Sequence, residues 1–296
     1  MPTEDISARF ADLDLWTTQD AVQAMLEGQL AAVAAVQSQA GRISDAAEQA
    51  AERLSGPEGR IIYAGAGTSG RIAVQDGVEL GPTFDWDRVA YVLAGGWDAL
   101  RFSVEGAEDD AEAAEAAVHA LAVTSRDVVV GVAASGRTAY TIAAIRTAAA
   151  AGALTVGVAS NAGTPLLAAV DHPILLDTGA EVVAGSTRMK AGTAQKIALN
   201  LFSTAVMVRL GSVHGGLMIS MRLSNAKLRD RAVKIVARAA GVEDAVAAEA
   251  LERAGSDIKL AVLVALGRSA EEGAARLRAA GGNLRAAIAR EKSDGR

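Results

Sequence analysis

Residues 61–79 read IIYAGAGTSGRIAVQDGVE, and this stretch decides how the rest of the chain is read. Ile61-Ile62-Tyr63-Ala64 is a short apolar run with the look of a buried strand. It breaks into Gly65-Ala66-Gly67-Thr68-Ser69-Gly70, after which Arg71-Ile72-Ala73-Val74 begins a helix. A glycine-rich turn between strand and helix brings backbone N–H groups and hydroxyls to a helix N-terminus, which suits an anion and most often a phosphate. A carboxylate, Glu79, stands at the far end of the same helix, just before the break Leu80-Gly81-Pro82-Thr83.

Four further apolar runs share the texture of the first: Val89–Ala94, Asp127–Val132, Leu154–Ala159 and Pro173–Leu176. Helical patterns separate them. Short buried strands alternating with helices predict an α/β fold, a doubly wound parallel sheet with helices on both faces, in three αβα layers. Two helices precede the first strand, one from Thr17 with Val22, Met25, Leu26 and Leu30 at helical spacing, the other over residues 43–54. Residues 1–16 read as extended or loosely folded, and 99–103 and 109–121 as helices. Beyond residue 225 the texture changes to amphipathic helices over 228–240, 242–254, 258–266 and 270–280, with a frayed end at Glu291–Arg296. The expected division is a domain of residues 1–224 followed by a small helical subdomain, 225–296.

Bulk properties narrow the function. A net charge of −6 offers no basic field for nucleic acid. The absence of cysteine removes disulfides, thiolate metal sites and cysteine nucleophiles. The three histidines, His119, His172 and His214, have no ligand spacing, so no metal is expected, although His214 lies in a glycine turn that could approach a ligand. The start of the chain is acidic and polar rather than a signal peptide, and no apolar run approaches the roughly 20 residues that span a bilayer. The expectation is a cytoplasmic protein without a membrane partner.

In an open α/β sheet, ligands bind at the carboxyl ends of the strands. Three turns of suitable chemistry fall there: residues 65–70, Ala134-Ser135-Gly136-Arg137-Thr138, and the polar run GSTRMKAGT at 185–193. Each alone is ordinary turn and cap material. Together they cluster hydroxyls at Thr68, Ser69, Ser135, Thr138, Ser186, Thr187 and Thr193 with Arg71, Arg137, Arg188 and Lys190. The Gly-x-Gly-x-x-Gly spacing also fits a dinucleotide fingerprint, but the acid expected at the end of the second strand is missing, since that strand ends in Ala94-Gly95-Gly96. Two carboxylates, Glu79 and Glu108 of the acidic segment VEGAEDD, are placed for general acid and base work.

These motifs resemble the sugar-isomerase (SIS) family of phosphosugar-binding domains, and more specifically the N-acetylmuramic acid 6-phosphate etherase family. The signatures are GAGTSGR at 65–71, Glu79 ahead of Pro82-Thr83, VEGAED at 104–109, DVVVGVAASGRT at 127–138 and GAEVVAGSTRMKAGTAQK at 179–196. The glucokinase regulatory proteins resemble the same family, with the SIS domain used for binding. The C-terminal helices resemble the family's ubiquitin-associated-like tail. The resemblance implies a lyase that cleaves the D-lactyl ether of N-acetylmuramate 6-phosphate to N-acetylglucosamine 6-phosphate and D-lactate, with no cofactor. Glu79 matches the acid that protonates lactate, and Glu108 the group that handles the C2 proton. Gly67, Thr68, Ser69, Ser135, Gly136, Thr138, Ser186 and Lys190 are the expected substrate and phosphate contacts. The surroundings of Glu79, Gln75-Asp76-Gly77-Val78-Glu79-Leu80-Gly81-Pro82, depart from the family's usual Asp-Ala-Ser-Glu-Cys-Pro-Pro. A phosphosugar-sensing regulatory protein and an aldose–ketose isomerase are the alternatives. SIS domains pair, and the wide apolar surface of residues 194–208 leads to the expectation of a homodimer.

Overall fold

The computed structural model describes residues 1–289; the expectation for Glu291–Arg296 lies outside them. Helices α1 (Thr18–Ser38) and α2 (Ala40–Leu54) precede the sheet, and a parallel sheet follows. Its strands are β1 (Ile61–Gly65), β2 (Val89–Leu93), β3 (Val128–Val132), β4 (Leu154–Ala159) and β5 (His172–Leu175), each matching a predicted run. The strand order is β2-β1-β3-β4-β5, all parallel, with Tyr63 level with Tyr91 on one side and Val130 on the other. Every residue of β1, β3 and β4 is buried, which is why these strands read as unbroken apolar runs rather than alternating ones.

The helices between the strands are α3 (Gly67–Val78), α4 (Leu80–Phe84), α5 (Ala111–Ala120), α6 (Ala139–Ala150) and α7 (Pro165–Ala168). Both faces of the sheet are covered. Ile62, Ala64, Val92 and Val129 pack in one core with Ala114 and Val118 of α5, Ile145 of α6 and Leu166 of α7. On the opposite face Tyr63 reaches Asp76 of α3, and α2 packs on β3, β4 and β5. A methyl group on Gly131 would stand 2.6 Å from Ile145 Cγ1, so glycine in mid-strand lets α6 lie directly on β3.

The structure refines three readings of this part of the chain. Val22, Leu26 and Leu30 mark the helix but not its inner face: all three are exposed, while Ala24, Ala32, Ala35 and Val36 are buried. Alanine allows α1 to lie close, and the large side chains fall on the outer side. Residues 1–16 are not loose. They form three short 3-10 turns, at Pro2–Glu4, Ala8–Phe10 and Leu13–Leu15, and Thr3 is fully buried. The helix expected at 99–103 is a 3-10 turn over Gly96–Leu100.

The chain continues through α8 (Lys190–Arg209), a two-residue-per-strand hairpin of β6 (Val213–His214) and β7 (Leu217–Met218), and the helices α9 (Ala226–Ala240), α10 (Asp244–Arg253), α11 (Ile258–Ala265), α12 (Ala270–Ala279) and α13 (Leu284–Ala289). The chain divides into two compact units, one of residues 1–78 with 88–206, the other of 79–87 with the chain from Met207 on. The second unit has its own core of Val236, Leu251, Val262 and Leu284 with Ile219. In it Arg222 bonds both Asp85 and Asp87. Asn225, Asp257 and Ser269 cap α9, α11 and α12 through their side chains, each accepting from an N–H of the first turn. None of the described helices is long and apolar enough to cross a membrane.

Candidate functional site

Strands β1 and β3 are neighbours, but the chain leaves β1 toward β2 and returns on the other side to build β3, β4 and β5. The crevice at the carboxyl ends of β1 and β3 is therefore the topological switch point, where open α/β sheets bind ligands. The first two glycine turns lie there.

In the first turn, Gly65 and Gly70 touch. A methyl group on Gly65 would stand 2.9 Å from Gly70 Cα and 3.1 Å from Val132 O. Gly67 holds a left-handed φ of 52°. These glycines fold the chain back so that α3 starts directly on the end of β1. Thr68 and Ser69 then occupy its first turn, with Ser69 buried. The second turn repeats the device. Gly136 has a φ of 67°, and a side chain there would run into Thr164. The N–H of Arg137 donates to Ser135 Oγ at 3.1 Å, tightening the turn before α6. Thr138 is the N-cap residue of α6 but makes no side-chain capping bond. Its hydroxyl and the helix's leading N–H groups stay available. Two helix N-termini thus converge, each carrying partial positive charge, and that of α6 has no side-chain cap.

A cavity of about 460 Å³ occupies this place, and Gly67, Thr68, Ser69, Ser135, Thr138 and Glu108 all line it. Glu108 comes from the 3-10 turn Ala107–Asp109, entered through Gly106 at a φ of 74°, and it is exposed. An anion held by the two helix ends would have a carboxylate within the same enclosure. A carboxylate beside an anion cradle is an arrangement that can move a proton on a bound anionic substrate.

The third turn behaves differently. Glu181, fully buried, accepts from the N–H groups of Lys190 at 3.1 Å and Ala191 at 2.9 Å, so the start of α8 is already capped by a carboxylate. Lys190, expected at the phosphate, instead donates its ammonium to the carbonyls of Thr178 (2.9 Å) and Ala180. Burial pushes its pKa down, against the pull of Glu181. Lys190, Ser186 and Gly136 are not among the residues lining the cavity, whereas Thr187 is. Gly192 brings this turn close to the first: a methyl group there would lie 3.3 Å from Ile72 Cδ1 and 3.7 Å from Thr68 Cγ2. Arg71 also turns away, donating to the carbonyl of Ala99 at 2.8 Å. Glu79 lies outside the lining as well. It is the residue preceding α4, exposed, in the αR conformation, its carbonyl accepting from Thr83 N at 3.2 Å.

Comparison with known proteins places this geometry. Residues 40–149 match the glucokinase regulatory protein N-terminal SIS domain, and residues 106–205 match the SIS domain. An N-acetylmuramic acid 6-phosphate etherase of Deinococcus radiodurans is 50% identical over 286 residues, which cover 96% of this chain and 93% of that one. The chain belongs to the N-acetylmuramic acid 6-phosphate etherase family. A Rubrobacter xylanophilus protein of the same name is 48% identical, over 97% of this chain and 95% of its own. A solved structure from Bacteroides fragilis, described as a candidate phosphosugar isomerase involved in capsule formation, shares the fold, with a TM-score of 0.50, 17% identity and coverage of 68% of this chain and 99% of that one.

Beside the residues expected from the sequence, the cavity of this etherase-family chain is lined by Glu4, Asp109, Arg137 and Thr187. Arg137, Asp109 and Thr187 belong to motifs already singled out. Glu4 does not, and no local pattern pointed to it.

Proposed function

We infer that the chain is an N-acetylmuramic acid 6-phosphate etherase, a carbon–oxygen lyase acting on a phosphosugar. The observation that carries this is the cavity shared by the starts of α3 and α6 and by Glu108. The name borne by relatives at 50% and 48% identity points the same way. The phosphate of the substrate sits at the starts of α3 and α6, held by N–H groups with the hydroxyls of Ser69, Ser135 and Thr138, and with Thr68 and Gly67 lining the turn.

The sugar reacts in its open-chain form, whose C1 aldehyde acidifies the C2 proton. Glu108 takes that proton. The electron pair forms the C2–C3 double bond, the C3–oxygen bond breaks, and Glu79, whose role rests on the family resemblance and not on the cavity lining, gives its proton to the departing lactate oxygen. Glu79, now a carboxylate, takes a proton from water, which adds at C3, while the proton returns to C2. The products are N-acetylglucosamine 6-phosphate and D-lactate. Two carboxyl groups suffice because each step moves one proton at one of two adjacent carbons.

By sequence texture, residues 1–224 are the SIS catalytic domain and residues 225–296 the appended helical subdomain, although residues 79–87 and 207–224 group by packing with the second unit. The active form is a homodimer, supported by the apolar side chains Val22, Leu26, Leu30 and Leu201 left exposed on long helices. The enzyme works in the cytoplasm on sugars released from the cell wall, independently of nucleic acid or membrane. Incubation with N-acetylmuramate 6-phosphate and assay of D-lactate tests the reaction, and sedimentation at micromolar concentration tests the dimer.

A further inference from the structure

Glu4 puts a carboxylate in the wall of an anion cradle, and the way it is held there is specific. Thr3, fully buried, donates through its N–H to Asn161 Oδ1 at 3.4 Å and accepts at Oγ1 from Asn161 Nδ2 at 3.0 Å. The same Nδ2 donates to Ala134 O at 3.0 Å, in the second glycine turn. The carbonyl of Thr3 accepts from Gly185 N at 3.1 Å, in the third. One residue thus ties the start of the chain to two of the three site turns, and Glu4 follows it directly. Gly185 has a φ of 73°, and a methyl group there would stand 2.9 Å from Glu4 Oε2. The glycine leaves room for the carboxylate.

Among the described residues Glu4 has no ion pair or side-chain hydrogen bond. The lining residues include three carboxylates, Glu4, Glu108 and Asp109, one cationic side chain, Arg137, and Met1, whose N-terminal ammonium lies 3.7 Å from Asp5 Oδ1. A further carboxylate beside a dianionic phosphate is unfavourable unless it meets donors. A phosphosugar brings such donors on its ring, away from the phosphate. We propose that Glu4 is a substrate-binding residue of this site. Its carboxylate accepts hydrogen bonds from ring hydroxyl or acetamido N–H groups of the phosphosugar, and it fixes the ring while the phosphate occupies the helix ends. This rests on the phosphosugar reading above.

The test compares Glu4→Gln and Glu4→Ala with the parent chain by calorimetric titration with N-acetylglucosamine 6-phosphate and with inorganic phosphate, beside KM and kcat for lactate release. Asp12→Asn, an exposed carboxylate of the same N-terminal region outside the cavity lining, serves as control. The expected result is a loss of phosphosugar affinity and a rise in KM of about tenfold or more, as for a hydrogen bond to a charged acceptor. Phosphate affinity stays the same or rises, kcat changes less than KM, and the thermal midpoint and the control are unaltered. Unchanged phosphosugar affinity in both Glu4 variants overturns the proposal, as does equal loss of phosphate and phosphosugar binding. If the parent chain binds the phosphosugar but releases no lactate, the etherase reading falls while the Glu4 comparison still stands on affinity. If it binds no phosphosugar, both fall.

Discussion

Tyr63 Oη donates to Asp76 Oδ2 at 2.7 Å, and both residues are buried. The other carboxylate oxygen accepts from Asn200 Nδ2 of α8 at 2.6 Å. Asp76 is thereby tied to β1 and to α8, and it anchors the last full turn of α3, three residues ahead of Glu79. Burial first, and then the Asp76 charge, raise the Tyr63 pKa well above its ordinary value, and the same two causes push Tyr91 up to about 12. Both tyrosines remain neutral donors throughout the physiological range. Tyr63→Phe leaves a buried carboxylate short of one donor and is expected to destabilise the fold by about 1–3 kcal/mol. Urea denaturation checks this, and a variant as stable as the parent would mean that Asp76 does not depend on the bond.

The close approach of Gly65 and Gly70 sets the position of the α3 N-terminus. Gly65→Ala puts a methyl group against backbone on every side, at 2.9 Å from Gly70 Cα and 3.0 Å from Gly70 N. Neither a strand end nor a helix start can yield as a flexible side chain would. The expected cost is about 1–3 kcal/mol, with a loss of affinity for inorganic phosphate beyond that of an equally destabilised core variant. Thermal denaturation and phosphate titration measure the two separately. Unaltered phosphate binding would dissociate this contact from the cradle.

Acid sensitivity has an identifiable source at the start of β3. Asp127 is buried, which by itself raises its pKa. Hydrogen bonds from the Arg60 side chain (3.0 and 2.9 Å) and from the N–H groups of Thr124 and Arg60 outweigh burial and leave it below the ordinary 3.8. A folded-state pKa below the unfolded one contributes stability that is present above the unfolded value and is lost as pH falls through the folded one. The parent chain should therefore lose stability as pH drops below about 3.8. Asp127→Asn should be weaker at pH 7 by roughly 1.5–3 kcal/mol and should flatten this part of the profile. Denaturation midpoints between pH 7 and pH 3 test the sign, and a variant with the parent's acid slope would contradict it.

The sheet was legible because parallel strands buried on both faces leave continuous apolar runs, and each of the five runs became a strand. The turns at 65–70 and 134–138 were legible because positive φ and close approach demand glycine at Gly67 and Gly136. Other features depend on packing that a single stretch does not display. The large side chains of α1 placed the helix but not its buried face, which is alanine with Val36. The β6–β7 hairpin turns on Gly215 and Gly216, both at positive φ, yet its strands are two residues long and carry no periodicity. Lys190 looked like a phosphate ligand by composition. Its partners are carbonyls ten and twelve residues earlier in the chain, which spacing alone does not reveal. Glu4 lies in the cavity wall next to Thr3, which is tied to Asn161, 158 residues away, and to Gly185.

Release of D-lactate from N-acetylmuramate 6-phosphate tests the central claim most directly. The parent chain should form lactate and N-acetylglucosamine 6-phosphate in equal amounts without added metal or cofactor. Glu79→Ala and Glu108→Ala, folded to the same thermal midpoint, should each lose about 10²–10⁴-fold in rate, as the removal of a general acid or base does. No lactate from well-folded parent protein, or full activity in either variant, would contradict the account.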